Sequence, residues 1–284
     1  MSTASTTEVA IRTADTDDLD ALRRIAASAF DREPIGRAGL VDLLYHRPTA
    51  DPTIRLVSDL GGRPVAFAFG SVHQRRGHLD AIAVDDSLRR QGLATTLLAA
   101  IEQRLIAAGA ESLNIGGNTR FYGWPGVDLT YTAALAFAEH LGYRRRDVAQ
   151  NMYVPLAGWI PHSADKVLKR HGGHTDARRA TPHDWPELDG FLRRNFSEVW
   201  RHETSLAVHR ATPSAHVATR NGRIVGFACH GVYRRDWFGP IGTGADERGN
   251  GVGEALLRLC LDDLAQAGIS VAQIGWIGPM SFYS

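Results

Sequence analysis

The sequence predicts an α/β (α+β) chain built as two tandem copies of one domain, each a mixed, twisted sheet flanked by helices. Three observations lead there. Apolar strand-like segments alternate with amphipathic helix patterns along the 284 residues. A glycine-opened turn, Arg89-x-x-Gly92-x-Ala94, comes back as Arg248-x-x-Gly251-x-Gly253. The surroundings of that turn repeat at a nearly constant offset.

The repeat can be read residue by residue. Gly62-Arg-Pro-Val-Ala-Phe-Ala68 returns as Gly222-Arg-Ile-Val-Gly-Phe-Ala228, offset 160. Arg89, Gly92 and Ala94 return as Arg248, Gly251 and Gly253, offset 159. Ala108-Gly109 and Ile115-Gly116 return as Ala267-Gly268 and Ile274-Gly275, again at 159. Further upstream, Arg12 and Asp17 are matched to Arg179 and Asp184. Constant offsets over such a distance mark a tandem duplication.

The first copy is taken as residues 9–155, after a Ser/Thr-rich tail over 1–8 expected to be disordered. Val9 to Thr13 reads as a strand. Asp15 to Asp18 offer caps to a helix with Leu19, Leu22, Ile25, Ala26 and Ala29 on one face. A second helix covers Ala38 to Tyr45. Strands follow at Ile54–Ser58 and Val65–Val72, joined at Gly61-Gly62, and at His78–Val84. The helix opened by Gly92 carries Leu93, Leu97, Ile101 and Leu105 four apart. Ser112–Ile115 is a strand, 118–128 irregular, and Leu129–His140 helical. Tyr143–Arg145 and Asn151–Val154 are expected to close the copy as a hairpin.

Residues 156–175, which follow Pro155 and contain Pro161, Gly172-Gly173 and a basic run, read as a linker with one helical turn near Lys166–Lys169. The second copy, 176–284, stops soon after Trp276 without the helix and two strands that follow in the first copy, so either the chain is truncated or the second sheet is incomplete. An open sheet edge is therefore expected there.

Composition narrows the functions. A hydrophobic fraction of 44% supplies two cores, and a formal net charge of +1 gives no footprint for nucleic acid. The only lysines are Lys166 and Lys169, and no function is read from the arginine bias. Cys229 and Cys260 are expected as buried reduced thiols. There is no signal-peptide core and no 18-residue apolar run, so a cytoplasmic, bacterial protein without membrane contact is expected, as monomer or homodimer. His171 and His174 lack flanking ligands, and no metal is expected.

The chemistry legible in the turn is anion binding. Small residues let the backbone come close to a ligand, and the free amides of a helix's first turn suit a diphosphate. Arg89 and Arg90 add charge. The lysine of a P-loop and the third glycine of a dinucleotide fingerprint are missing.

Arg/Gln-x-x-Gly-x-Gly/Ala at a strand-to-helix turn resembles the acetyl-CoA pyrophosphate loop of the GNAT acyltransferase superfamily, and the element order is similar too. The resemblance implies a small-molecule N-acetyltransferase using acetyl-CoA or another acyl-CoA as co-substrate, with direct attack of a primary amine on the thioester. It assigns Val84, Arg89, Arg90, Gln91, Gly92, Leu93 and Ala94 to the coenzyme in the first copy. In the second it assigns Thr243, Arg248, Gly249, Asn250, Gly251, Val252 and Gly253. A backbone amide near Val84 or Thr243 would hold the acyl carbonyl oxygen.

A base is needed because most alkyl amines are protonated at neutral pH. Strand alternation puts His78, Asp80, Ile82 and Val84 on one face, and His78 and Asp80 are the base candidates. Members of the superfamily commonly use a tyrosine to protonate the thiolate. The first copy has Phe137-Ala138 where the pattern has Phe-Tyr, with Tyr131 or Tyr122 as substitutes. The second copy has Phe282-Tyr283, making Tyr283 the acid candidate, but carries Trp237 and Gly239 at the base positions. Asp236 or Glu203 are its alternatives. The first copy is favoured as the working one because its fold is the complete one. The competing reading is a non-catalytic acyl-CoA-binding sensor or interaction module. The amine acceptor would be framed by residues 35–53, 118–128 and 196–203.

Overall fold

The computed structural model describes residues 9–33, 35–45, 51–118, 124–161, 164–170 and 175–278. The chain divides into two compact units, Met1–Val148 and Ala149–Ser284.

The first unit holds one five-stranded sheet, ordered β1 (Val9–Thr13), β2 (Thr53–Leu60), β3 (Arg63–His73), β4 (Arg76–Val84), β5 (Ser112–Ile115). All neighbours are antiparallel except β4 and β5, which run parallel because α3 (Leu93–Ala107) connects them. Two helices, α1 (Leu19–Ala29) and α2 (Arg37–Tyr45), lie between β1 and β2 in the chain, and α4 (Thr132–His140) follows β5. Leu97, Leu98, Ile101 and Leu105 of α3 pack on Leu56, Ala66, Ala68, Leu79 and Val84 of the sheet. Burial of this apolar stripe is what fixes α3.

The second unit repeats the plan. Its six-stranded sheet is ordered β6 (Met152–Pro155), β11 (Val271–Ile274), β10 (Trp237–Thr243), β9 (Arg223–His230), β8 (Ala215–Arg220), β7 (Thr175–Arg179). Helix α5 (Ala164–Arg170) precedes β7, α6 (Trp185–Asn195) and α7 (Glu198–Val208) follow it, and α8 (Val252–Gln266) joins β10 to β11. Even irregularities recur. Val65 is skipped in the β2–β3 register and Val225 in β8–β9.

Several expectations are corrected. Tyr143–Arg145 forms no strand, and the strand expected beside it pairs antiparallel with β11 instead, Met152 opposite Ile274 and Pro155 opposite Val271. The boundary thus falls before this strand, not after it. The stretch expected as a linker contains α5, whose Ala164, Val167 and Leu168 are buried in the second core. The edge of β11 is covered, so the expected open edge is absent. It is the first unit whose sheet is the shorter, which removes the reason for favouring that copy. The physical cause is simple: β11 needs an antiparallel partner, and the chain just upstream of β7 can supply one.

The upstream match is also shifted by one. Arg12 makes a two-pronged bond to Asp18 at 2.7 and 2.8 Å, and Arg178 does the same to Asp184 at 2.6 and 2.8 Å. Each carboxylate also closes a capping box on the turn that starts α1 or α6. The equivalent pairs are therefore Arg12–Asp18 and Arg178–Asp184, not Arg12–Asp17 and Arg179–Asp184.

Gly70 lies on β3 against β4 and the Leu105 side chain of α3. A methyl there would lie 2.6 Å from the His78 carbonyl oxygen and 3.3 Å from Leu105. Gly70→Ala is expected to cost about 1–3 kcal/mol in urea unfolding.

Candidate functional site

The two glycine turns have the geometry that the sequence suggested. Gly92 sits at φ +82° and Gly251 at φ +73°, both left-handed and immediately before the first helical residue, Leu93 or Val252. Nothing lies within 4 Å of a Cβ built on Gly92, so the backbone angle alone calls for glycine there. Neither helix start is capped by a side chain. The amides of the first turn thus receive no side-chain cap from the described residues and stand at the positive end of the helix dipole.

The basic side chains of the turns differ. Arg89 is tied back, its Nε donating to the Val84 carbonyl at 3.3 Å and its guanidinium paired with Asp86. Arg90, at φ +64°, and Arg248 make no ion pair among the described residues. Asn250 donates to Glu247 at 3.3 Å, itself paired with Arg220 at 2.8 Å. Asp85, which the sequence reading passed over, anchors the first turn. Its carboxylate accepts from the Ser87 hydroxyl at 2.7 Å and pairs with Arg24. Those donors hold the Asp85 carboxyl down, to about 2. Asp85→Asn is expected to lower the melting temperature near pH 7, where the ionised partner counts. Because the folded-state value is depressed, that difference should be complete above the ordinary carboxylate range near pH 4. It should fade as the pH falls through about 2.

Below the turn the sheet splits. β4 pairs with β5 only from Arg76↔Ser112 to Leu79↔Ile115, and β10 with β11 only through Trp237↔Gln273 and Phe238↔Ile274. Past those points no described strand pairs with that edge of β4 or β10. The Asp85 amide bonds to Val65 on β3, and that of Gly244 to Val225 on β9. Alternation then aims the amides of Ile82 and Val84, and of Ile241 and Thr243, into the opening. Each sheet carries a bulge where its split begins. Asp80 is skipped between Leu79↔Gly70 and Ala81↔Phe69, and Gly239-Pro240 stand against one residue of β9.

That bulge overturns the simple alternation. Ile82 and Val84 face the α3 core with Leu79, but His78 lies opposite Ser71 and Asp80 bonds to it, on the other face. His78 and Asp80 are thus together, as expected, and separated from Ile82 and Val84. Asp80 accepts from Asn118 Nδ2 at 2.8 Å and from Ser71 Oγ at 3.3 Å, and all three are buried. Asn118 also donates to Ser71 at 3.0 Å. His78 Nδ1 lies 3.3 Å from the Gly116 carbonyl, and burial pushes its pKa down, so its ring is neutral at pH 7. Ser71 was not singled out from the sequence and Asn118 only as part of a loop. Their link to Asp80 depends on register and could not be read earlier.

Among the described residues, the positions matching His78 and Asp80 in the second unit are Trp237 and Gly239, neither of which offers a side-chain proton acceptor. The ring of Trp237 packs on Gly275, where a Cβ would fall 1.7 Å from it. Asp236 accepts from Arg234 at 3.2 Å and Gln273 at 3.0 Å, a structural use of that candidate. Glu203 is buried on α7. Trp200 stacks on Phe196 and Trp185 lies edge-on to His209. Tyr131 in the first unit accepts a bond from the Arg32 amide at 3.0 Å, and burial pushes its phenol up to about 12. Tyr283 and Tyr122, and the histidines His171 and His174, lie outside the described residues. Both cysteines are buried free thiols, as expected. No described helix is long and apolar enough to cross a membrane.

A sheet split beside a parallel strand, with an uncapped helix start at the mouth of the split, is present twice among the described residues. The acetyltransferase (GNAT) family model matches residues 19–143 and 175–276, and the chain belongs to that family and with it to the acyltransferases. Three solved structures resemble it over nearly its whole length. The first is a GCN5-related glucosamine N-acetyltransferase region of a fungal multi-domain GH3 β-N-acetylglucosaminidase. It has a TM-score of 0.69 and 21% identity over 99% of this chain, which spans only 37% of that protein. The second is a tandem GNAT protein from the clavulanic acid biosynthesis pathway, TM-score 0.67, 15% identity, covering 97% of this chain and 93% of that one. The third is a GCN5-related N-acetyltransferase from Sphaerobacter thermophilus, TM-score 0.61, 18% identity, covering 94% and 86%. At such identities the likeness is one of fold. No curated protein sequence matches the chain.

Proposed function

We propose that the first unit transfers an acetyl or other short acyl group from acyl-CoA to a primary amine of a small molecule. The observation that carries this is the alignment of three features along β4 and the turn after it: the uncapped turn at Gly92, the edge at Ile82–Val84 left unpaired among the described strands, and the buried His78 and Asp80 at the far end of that edge. From Val84 to Asp80 is about 13 Å of extended strand, the reach of a pantetheine arm laid along it from a diphosphate at the turn.

In this reading the first-turn amides and Arg90 take the diphosphate. The seam amides bond the pantetheine and the thioester oxygen. His78, neutral and held through Nδ1 by Gly116, accepts the amine's proton on Nε2, and Asp80 stabilises the charge that results. The amine nitrogen bonds to the carbonyl carbon, the C–S bond breaks, and the proton passes through solvent to the departing thiolate. The second unit, with Trp237 and Gly239 at the base positions, binds acyl-CoA through Arg248 to Gly253 without turning it over. A role as acyl-CoA sensor is the second reading, favoured for that unit alone.

The test is thiol release from acetyl-CoA by the full-length protein across a panel of primary amines, with calorimetric titration of acetyl-CoA alongside. Sustained amine-dependent release supports the proposal. Binding without release leaves the sensor, and no binding removes both.

A further inference from the structure

We propose that the second unit holds a divalent transition-metal ion of the zinc class between His216 of β8, His230 of β9 and Asp263 of α8. The three side chains converge on a single point. His216 Nε2 lies 3.4 Å, and His230 Nε2 3.0 Å, from the same oxygen, Asp263 Oδ2. All three candidate ligand atoms lie within 4.8 Å of one another. In a tetrahedral site with metal–ligand bonds of 2.0–2.1 Å, neighbouring ligand atoms stand about 3.3 Å apart, so little movement is needed to admit the ion. Two imidazoles and one carboxylate are a donor set that zinc favours, with water as the fourth ligand.

The surroundings orient these ligands. His216 Nδ1 faces Cys260 Sγ at 3.6 Å, which leaves Nε2 turned towards Asp263. The two rings are stacked at 29° with centroids 6.1 Å apart, so both edges present nitrogen in the same direction. Arg179 donates to the other carboxylate oxygen, Oδ1, at 2.5 Å and limits Asp263 to one metal bond through Oδ2. That guanidinium also weakens the site relative to one without a nearby cation. His216 is fully buried, whereas His230 and Asp263 keep about a tenth of their side-chain surface open and give the ion a way in.

The site is structural. Asp263 is eleven residues along α8 from Val252, about 16 Å from the turn that opens the helix, too far to polarise a thioester there. The ion ties the last turns of α8 to two strands at the end opposite Gly251. Nothing in this assignment depends on the acyl-transfer reading.

Chelator-treated full-length protein, dialysed against zinc alone, is expected to retain one equivalent and to gain thermal stability. His230→Ala and Asp263→Asn should each lower zinc affinity about 100-fold and remove the thermal gain, while His171→Ala with His174→Ala changes neither. Cobalt in place of zinc should give the visible absorption of a tetrahedral centre. A nitrogen-detected imidazole spectrum of the unaltered protein should show two histidines shifting at one equivalent, a readout independent of how the variants fold. Failure to retain zinc, retention equal in both site variants, or retention lost with the His171 and His174 pair would each overturn the assignment.

Discussion

His78→Ala should lower kcat/KM for the amine by about 10²- to 10⁴-fold, with the affinity for acyl-CoA unchanged. The expectation follows from the position of His78 on β4, below the seam rather than in the turn. Removing the imidazole takes away a proton acceptor and leaves the diphosphate site intact. Burial holds the ring's pKa below the ordinary histidine value near 6.5, so the base form is present at neutral pH and is lost only on acidification. Activity should therefore fall along an acidic limb centred below 6.5. The charge of Asp80 raises the His78 value, so Asp80→Asn should move that limb to lower pH while slowing turnover. Should Asp80→Asn abolish activity and His78→Ala leave it intact, the base assignment belongs to Asp80.

Gly92→Val should raise the dissociation constant for acyl-CoA at least tenfold, as read by calorimetry. A non-glycine residue pays about 1–2 kcal/mol in the left-handed region, and a β-branched one more. With open space around the Cβ position the effect is not steric. The turn must change its angles, and the first-turn amides of α3 lose their common aim at a diphosphate. Gly251→Val should weaken binding in the second unit and leave kcat at saturating acyl-CoA near that of the parent. A kcat loss confined to Gly251→Val would reverse the assignment of roles between the units.

Much of this was legible before any fold was known. The glycine turns could be read because a left-handed residue ahead of a helix requires a particular amino acid, which the sequence displays directly. The helices opened by Gly92 and Gly251 could be read because their apolar stripes recur every four residues. Other features depend on distant partners. One skipped residue at Asp80 reverses the side-chain phase of β4, and only the pairing with β3 reveals the skip. Likewise Arg178, not Arg179, finds Asp184, a choice between two adjacent arginines that pattern cannot make.

By itself, the sequence determined the duplication, the α/β class, the two glycine-opened helix starts and the placing of His78 and Asp80 on one face of their strand. These are local properties, set by periodicity, glycine's backbone freedom and constant spacing. The tertiary structure alone decided which strand completes the second sheet, that Asn118 and Ser71 grip Asp80, and that two histidines of adjacent strands meet an aspartate of α8. Those outcomes join residues from 9 to 47 positions apart, or bring Met152 to Ile274, and are fixed by register and packing.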